Sequence, residues 1–361
     1  MYMKAAVCYG FGQPLVVEQI SIDPPERGEV LVQLRAAGIC HSDVHLIRGD
    51  WEKALPVVAG HEGAGVVAEV GAGVAGVQAG DHVVVSLLRS CGRCFYCTHD
   101  APHHCAGAFA LATESRLHTQ NGDPIYQGIK TGAFAEYVVV DQSQIVPIPA
   151  DLAFEPAALL ACGVITGFGA VANTAQVPSG SSVAVIGVGG VGVNAIQGAL
   201  VAGAHPIIAI DVVEAKLALA TSFGASHTVA ASTPDIRATI RGMTGGRGVD
   251  YAIVTVGNTA AMEQALRIIR PLGTVVLVGL PPSAAQLPMR VYPFVLQGQR
   301  IIGSYMGSSR LHADIPHLVA LHRQGQLKLD ELISARYSLD EINTAIAEME
   351  SGAAIRNVIV F

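Results

Sequence analysis

The sequence predicts an α/β protein built from a mostly β, barrel-like domain and a doubly wound parallel sheet. Two observations predict it. Up to about residue 150, short apolar runs are broken by Gly and Pro and do not alternate with long helices; from Ser181 onward, apolar strands and helices take turns. The 361 residues, 51% of them hydrophobic and only 14% charged, suffice for two cores and exclude a disordered chain.

In chain order, strands are expected at 4–7, 15–20, 30–36, 65–70, 82–86 and 136–140, each a β-forming run between turn residues. A helical stretch around Cys162 and Thr166 then crosses into the second domain. There, 183–186 reads as a buried strand, Gly187-Val188-Gly189-Gly190-Val191-Gly192 as a tight turn, the following residues to Ala202 as a helix ended by Gly203, and 207–210 as a strand finishing at Asp211. Further βα repeats follow, with helices at 214–223, 235–243 and 260–269 and strands at 228–229, 249–254, 273–278 and 300–306. That makes a six-stranded doubly wound sheet. Helices at 315–324 and 339–350 and a strand at 357–361 are expected to return to the first domain, giving domains of 1–163 with 307–361, and 164–306. No internal repeat is visible.

The glycine turn is a dinucleotide fingerprint because of its setting between strand, helix and acid. Gly187 permits the turn, Gly189 admits a pyrophosphate close to the backbone, Gly192 lets helix and strand pack, and the helix N-terminus faces the negative charge. Asp211 stands where the adenosine ribose hydroxyls need an acceptor. Val212 and Val213 follow it, with no Arg for a 2′-phosphate, so NAD is favoured over NADP.

Cys91, Cys94, Cys97 and Cys105 can wrap one zinc with no position left over, which defines a closed structural site. An iron–sulfur cluster is the rival, but the bacterial ferredoxin spacing wants a Pro after the last Cys, and Ala106 stands there. His99, His103 and His104 read as solvated loop residues. Cys40, His61 and Cys162 are each unremarkable alone, a Cys beside a strand being most often a small buried hydrophobe. Taken together, two thiolates and an imidazole would leave one position of a tetrahedral zinc open for water or substrate. Spacing does not join these three.

Seven cysteines, an odd number, make a poor disulfide framework. A net charge of −7 gives no support to a nucleic-acid partner. The N-terminal residues lack the apolar core of a secretory leader, so the cytoplasm is expected. Residues 156–210 carry no Asp, Glu, Lys or Arg, but Pro178, the serine-rich turn after it and many glycines leave no clean membrane span.

In the order Cys40-His41-Ser42-Asp43, Gly60-His61-Glu62, the four-cysteine loop, Cys162, the glycine turn with Asp211, and Ile355-Arg356, the chain resembles the zinc-dependent medium-chain alcohol dehydrogenases from Lys4 to Phe361. The resemblance implies a GroES-like barrel with a Rossmann domain, two zinc ions per subunit and NAD. It casts Cys40, His61 and Cys162 as catalytic zinc ligands, Glu62 as a carboxylate able to approach the metal, and Asp43 as the acid orienting His61. Ser42 takes the alcohol proton and His45 ends that relay. Thr166, Val191 and Val278 line the nicotinamide side of the cofactor site, which Gly190 helps to shape; Lys216 meets the adenosine ribose, and His41 and Arg356 the pyrophosphate. The implied reaction is hydride transfer between a primary alcohol held as a zinc alkoxide and NAD. The long loop between the four cysteines and Cys162 is similar to that of the dimeric branch, which implies a homodimer joined through strand 301–305. That branch includes thiol-adduct formaldehyde dehydrogenases, whose carboxylate-binding arginine is not found at Ala108 or Phe109; Arg116 is the nearest candidate. Leu87 and the small Ser42 point to a roomy apolar pocket. A nucleotide-binding protein without turnover would be expected to lack the Cys40, His61 and Cys162 set, and a zinc-ribbon nucleic-acid binder to be basic.

Overall fold

The strand Glu29–Gly38 is buried along most of its length because it has neighbours on both edges. Glu62–Val70 pairs with one edge; Tyr137–Asp141 and Arg356–Val360 share the other, the first beside its start and the second beside its end. Three segments distant in sequence therefore meet around this one strand. The computed structural model describes residues 1–51, 54–352 and 354–361. These divide into one unit of Met1–Cys162 with Arg310–Phe361 and a second of Gly163–Ser309.

In the first unit the central strand belongs to a seven-stranded sheet, accompanied by a closed barrel of Tyr2–Cys8, Val16–Ile22, Leu117–His118, Pro124–Gln127 and Val57–Val58. Phe134, Leu34, Ile39 and Ile125 are among the fully buried side chains of its core. The barrel strands Val57–Val58 and Leu117–His118, with two residues each, go beyond the sequence expectation. So does Ile333–Tyr337, which alternates between exposed and half-buried positions and so lacks an apolar run.

The second unit is a parallel sheet in the order His227–Ala230, Ile207–Asp211, Val183–Ile186, Val249–Val254, Ile269–Leu277, Arg300–Gly303. That is the doubly wound order, with the topological switch at Val183–Ile186. The last strand stops at Gly303, short of the expected Met306. Met306–Ser308 instead forms a tight turn in which Met306, Gly307 and Ser308 all have positive φ. A β-carbon added to Gly169 would lie 2.4 Å from the Gly307 carbonyl oxygen, so this turn presses directly on helix Ile165–Gly169. The helix Val291–Gln297 is not legible in the sequence either: its valines, Tyr292 and Leu296 show no amphipathic pattern and stand exposed.

The first part of the charge-free stretch lies in the helical segment Phe154–Thr174, long and apolar enough by composition to cross a membrane. That segment lies 89% buried inside the protein, which makes it a core helix. The rest of the stretch supplies helix Gly190–Val201 and the buried strands Val183–Ile186 and Ile207–Asp211.

Candidate active site

Cys40 follows the central strand and serves as N-cap of helix His41–Arg48. Asp43, at the third helical position, turns back to this helix start. Its Oδ2 accepts from the Cys40 backbone N–H at 3.2 Å, and its Oδ1 accepts from the Gly60 N–H at 2.9 Å and lies 2.9 Å from His61 Nδ1. One fully buried carboxylate thus fixes two of the three segments that present metal-binding atoms. With Nδ1 held by Asp43, His61 turns its Nε2 inward, where it has no hydrogen-bond partner among the described residues.

The strand register brings up the rest. Gly38 is paired with Glu62 on one side and with Val358 on the other, which places Arg356 and Glu62 on either flank of the strand end. Their side chains join across it in a buried ion pair. Gly38 must be glycine here: a β-carbon would stand 2.6 Å from Glu62 Oε2 and 3.1 Å from Arg356 Nη2. Cys162 arrives from a wide π-helical turn, Leu160–Val164. The Ala161 carbonyl in that turn accepts from Ser86 Oγ at 2.6 Å. Such single-turn widenings often mark functional positions in helices.

The ligand atoms of Cys40, His61, Glu62 and Cys162 all lie within 4.8 Å of one another, and all four residues are buried. Cys162 donates to Cys40 and holds that sulfur well below the usual thiol range, although burial opposes it; by the same contact and by burial the Cys162 thiol is pushed well above it. Burial alone would depress the His61 pKa, but Asp43 and the Cys40 sulfur raise it well above the ordinary imidazole value. Burial pushes the Glu62 carboxyl up to about 7, with Arg356 opposing. Two sulfurs, a carboxylate oxygen and an imidazole nitrogen converging in one buried site make a donor set suited to a metal cation. Sulfur and nitrogen donors in this number suit zinc, with Glu62 Oε1 still unpartnered beside them.

The second cluster, Cys91, Cys94, Cys97 and Cys105, has its four sulfurs within 4.8 Å. The Cys94 and Cys105 sulfurs are 3.8 Å apart, near the edge of a tetrahedron with arms of about 2.3 Å. Backbone N–H groups of Cys91 and Gly107 point at Cys105 Sγ from 3.2 and 3.3 Å, and those of Cys97 and Ala106 lower the Cys94 thiol to about 6. A β-carbon on Gly107 would lie 2.6 Å from that of Cys91, so the loop closes only around glycine. Four thiols and no carboxylate fit a closed zinc site.

In the second unit, Gly187 has φ +91° and no room for a side chain, since Val256 Cγ1 would be 2.4 Å away. A β-carbon on Gly192 would strike the Gly187 carbonyl oxygen at 1.9 Å, the close helix–strand approach expected of it. At Gly189 it would meet nothing, leaving that backbone open to a ligand at the start of helix Gly190–Val201. Asp211 is nearly buried and accepts from the N–H groups of Val188 at 2.6 Å and Val213 at 2.9 Å, so it braces the turn as well. Thr166 packs on Met306, with Oγ1 3.7 Å from Sδ. Val191 and Lys216 are half-buried, and Val278 is buried.

Ser42 and His45 lie one turn apart on helix His41–Arg48, with His41 exposed at its start. His45 Nδ1 is 2.6 Å from Asp50 Oδ2, a partner that the sequence reading missed. Gly38, Ser86 and Gly107 were missed too; a glycine ending the strand before Cys40 was the one available signal. Arg116 is corrected. It is buried and donates to both carboxylate oxygens of Glu29, at 3.0 and 2.8 Å, with Glu26 and Glu114 also on its Nη2. Three carboxylates already match its charge, so it does not serve to bind a thiol's carboxylate.

Comparison with known proteins shows the family. Residues 26–150 match the alcohol dehydrogenase GroES-like domain and residues 190–323 the zinc-binding dehydrogenase domain. Alcohol dehydrogenase B of Mycobacterium tuberculosis is 39% identical over 99% of this chain and 98% of its own length. The S-(hydroxymethyl)glutathione dehydrogenase of Synechocystis is 37% identical over 99% of this chain and 100% of its own. The crystal structure of benzyl alcohol dehydrogenase from Acinetobacter calcoaceticus superposes with a TM-score of 0.93 at 32% identity, covering 100% of this chain and 99% of that one. The chain belongs to the zinc-dependent medium-chain alcohol dehydrogenase family. It is an oxidoreductase acting on alcohols.

Proposed function

We propose that this enzyme uses NAD and two zinc ions per subunit to interconvert primary alcohols, aliphatic or aromatic, with their aldehydes. One observation carries the reading: the donor atoms of Cys40, His61 and Cys162 converge in one buried set, with His61 Nε2 having no hydrogen-bond partner among the described residues. Zinc bound there would supply a Lewis acid that lowers the pKa of an alcohol hydroxyl. Asp43 holds His61 in place for it, and the two cysteine sulfurs offset the positive charge. Ser42 receives the alcohol proton and passes it to His45, whose Nδ1 is anchored on Asp50 so that Nε2 is left as the acceptor. The glycine turn, with Asp211, Lys216, Thr166, Val191 and Val278, receives NAD in the second unit. In the first, Glu62 is paired with Arg356 and balances the guanidinium charge beside the metal ligands.

Leu87 and Leu88 are apolar and buried, which supports a pocket for bulky alcohols, as does the benzyl alcohol dehydrogenase likeness. The thiol-adduct reading has lost its arginine. The test is NADH formation by the zinc-loaded protein from ethanol, octanol, benzyl alcohol, a secondary alcohol, and formaldehyde with and without thiol. Octanol and benzyl alcohol are expected to turn over without thiol; turnover confined to formaldehyde plus thiol would overturn the assignment.

The edge strand Arg300–Gly303 and the exposed Val291, Tyr292, Val295 and Leu296 support a homodimer formed through that edge. Seven cysteines without a disulfide fit the reducing cytoplasm.

A further inference from the structure

The second unit carries a concentration of positive charge that the alcohol chemistry does not use. Arg237, Arg241, Arg247, Arg267 and Arg270 line one concave pocket of about 640 Å³, a volume ordinary for a small-molecule site. This is an acidic chain, with a net charge of −7, so the cluster is not a sample of a generally basic surface. The fold gathers it from three places. Arg237 and Arg241 stand one turn apart on helix Ile236–Met243, Arg247 lies in the loop that follows, and Arg267 and Arg270 flank the passage from helix Thr259–Ile268 into strand Ile269–Leu277.

Structural duties account for part of the cluster only. Arg241 Nε donates to the Gly246 carbonyl at 2.6 Å, and Arg270 Nε donates to Asp250 at 2.6 Å. Arg267 has a surface partner, Glu263, at 3.3 Å, of a kind worth little in water. Arg237 and Arg247 are exposed, and their side chains have no hydrogen-bonding or ionic partner among the described residues. No carboxylate is among the residues lining the pocket.

The pocket is also separate from the dinucleotide turn. That turn follows the C-terminal end of strand Val183–Ile186, whereas Arg247 precedes strand Val249–Val254 and Arg270 opens the next. The strands run parallel, so the arginines gather at the opposite end of the sheet.

We propose that this pocket binds a small polyphosphorylated anion, at a site independent of cofactor and substrate. Guanidinium forks match tetrahedral oxyanions bidentately, and several of them converging on one concavity need a ligand with several negative charges. A concave pocket on an acidic protein suits a small anion better than a nucleic acid, which would call for an extended basic track.

Inorganic tripolyphosphate is the probe, titrated calorimetrically into the whole zinc-loaded protein at low ionic strength. One ion per chain is expected to bind, with affinity falling as salt rises. The double variant R237E/R247E should bind about tenfold or more weakly, as loss of two charge-assisted contacts implies. Its melting temperature without ligand should be unchanged, because neither side chain has a partner to lose. R237K/R247K, which keeps the charge and loses the bidentate fork, should fall between the parent and the double reversal. Absence of binding, or binding that the double reversal leaves intact, as a site at the glycine turn would show, overturns the proposal. Tighter binding of duplex DNA than of tripolyphosphate through the same arginines also overturns it, in favour of a nucleic-acid surface.

Discussion

Asp43 Oδ1 lies 2.9 Å from His61 Nδ1 while the same oxygen accepts from the Gly60 N–H at 2.9 Å. The carboxylate therefore orients the imidazole ring and fixes the backbone that carries it, in a site with no solvent to substitute. Asp43→Asn keeps the size of the side chain and removes the charge. Zinc affinity at the Cys40 site should fall by about 10- to 100-fold, the usual effect of losing a partner behind a metal-bound histidine. Competition with a chromophoric chelator, resolving one labile zinc from one retained by the four-cysteine loop, measures this directly.

Arg116 illustrates how a residue flagged for chemistry is claimed by structure. Its bidentate contact with buried Glu29 predicts that Arg116→Ala costs about 3 to 5 kcal/mol in stability, since Glu29 is left as an unpaired buried charge. Urea titration checks the loss. The thiol dependence of formaldehyde oxidation should be the same in the variant as in the parent.

The contrast between these two sites shows what the sequence could convey. The doubly wound half was legible because each strand, turn and helix announces itself within a few residues, as Val183–Ile186 and the glycine turn do. The four-cysteine loop was legible for the same reason. Barrel strands of two residues, such as Val57–Val58, carry no periodicity to read. Nor does any local pattern announce the ion pair of Glu62 with Arg356, 294 residues apart, because only the register of three strands around Gly38 brings them together.

Asp250 joins the start of its strand to Ser182 and Arg270, accepting from Ser182 N at 2.7 Å, Ser182 Oγ at 2.6 Å and Arg270 Nε at 2.6 Å. Burial pushes this carboxyl up, but the donors outweigh it and hold the pKa below the ordinary value. A depressed folded-state pKa stabilises the fold above the unfolded value of about 3.9, and that contribution disappears as pH falls through the folded one. Asp250→Asn should thus be less stable than the parent by about 2 kcal/mol at neutral pH. As pH falls below about 4 the two should converge, a pattern that denaturant titrations across pH would display.

Leu296 and Val295 are exposed beside an unpaired sheet edge, at 70% and 68% of their full accessibility. If that edge joins two subunits, Leu296→Glu places a charge in the joint, where an unpaired buried charge is not tolerated. Sedimentation at micromolar concentration should then show a monomer for the variant and a dimer for the parent. A monomeric parent would remove the interface.

Gly38 is where the strand register and the site chemistry meet. A methyl group there would lie 2.6 Å from Glu62 Oε2 and 3.1 Å from both Arg356 Nη2 and Leu159 Cδ2, among side chains that are themselves buried. Gly38→Ala should cost about 1 to 3 kcal/mol through overpacking. The test lies in a double-mutant cycle with Glu62→Ala, which removes the carboxylate that the methyl would strike. Glu62→Ala alone destabilises by stranding Arg356, yet in its presence the added methyl has room, so the two losses should sum to more than the double variant shows. Additive losses would mean that the methyl is accommodated elsewhere and that glycine is not what permits the ion pair to cross the strand end.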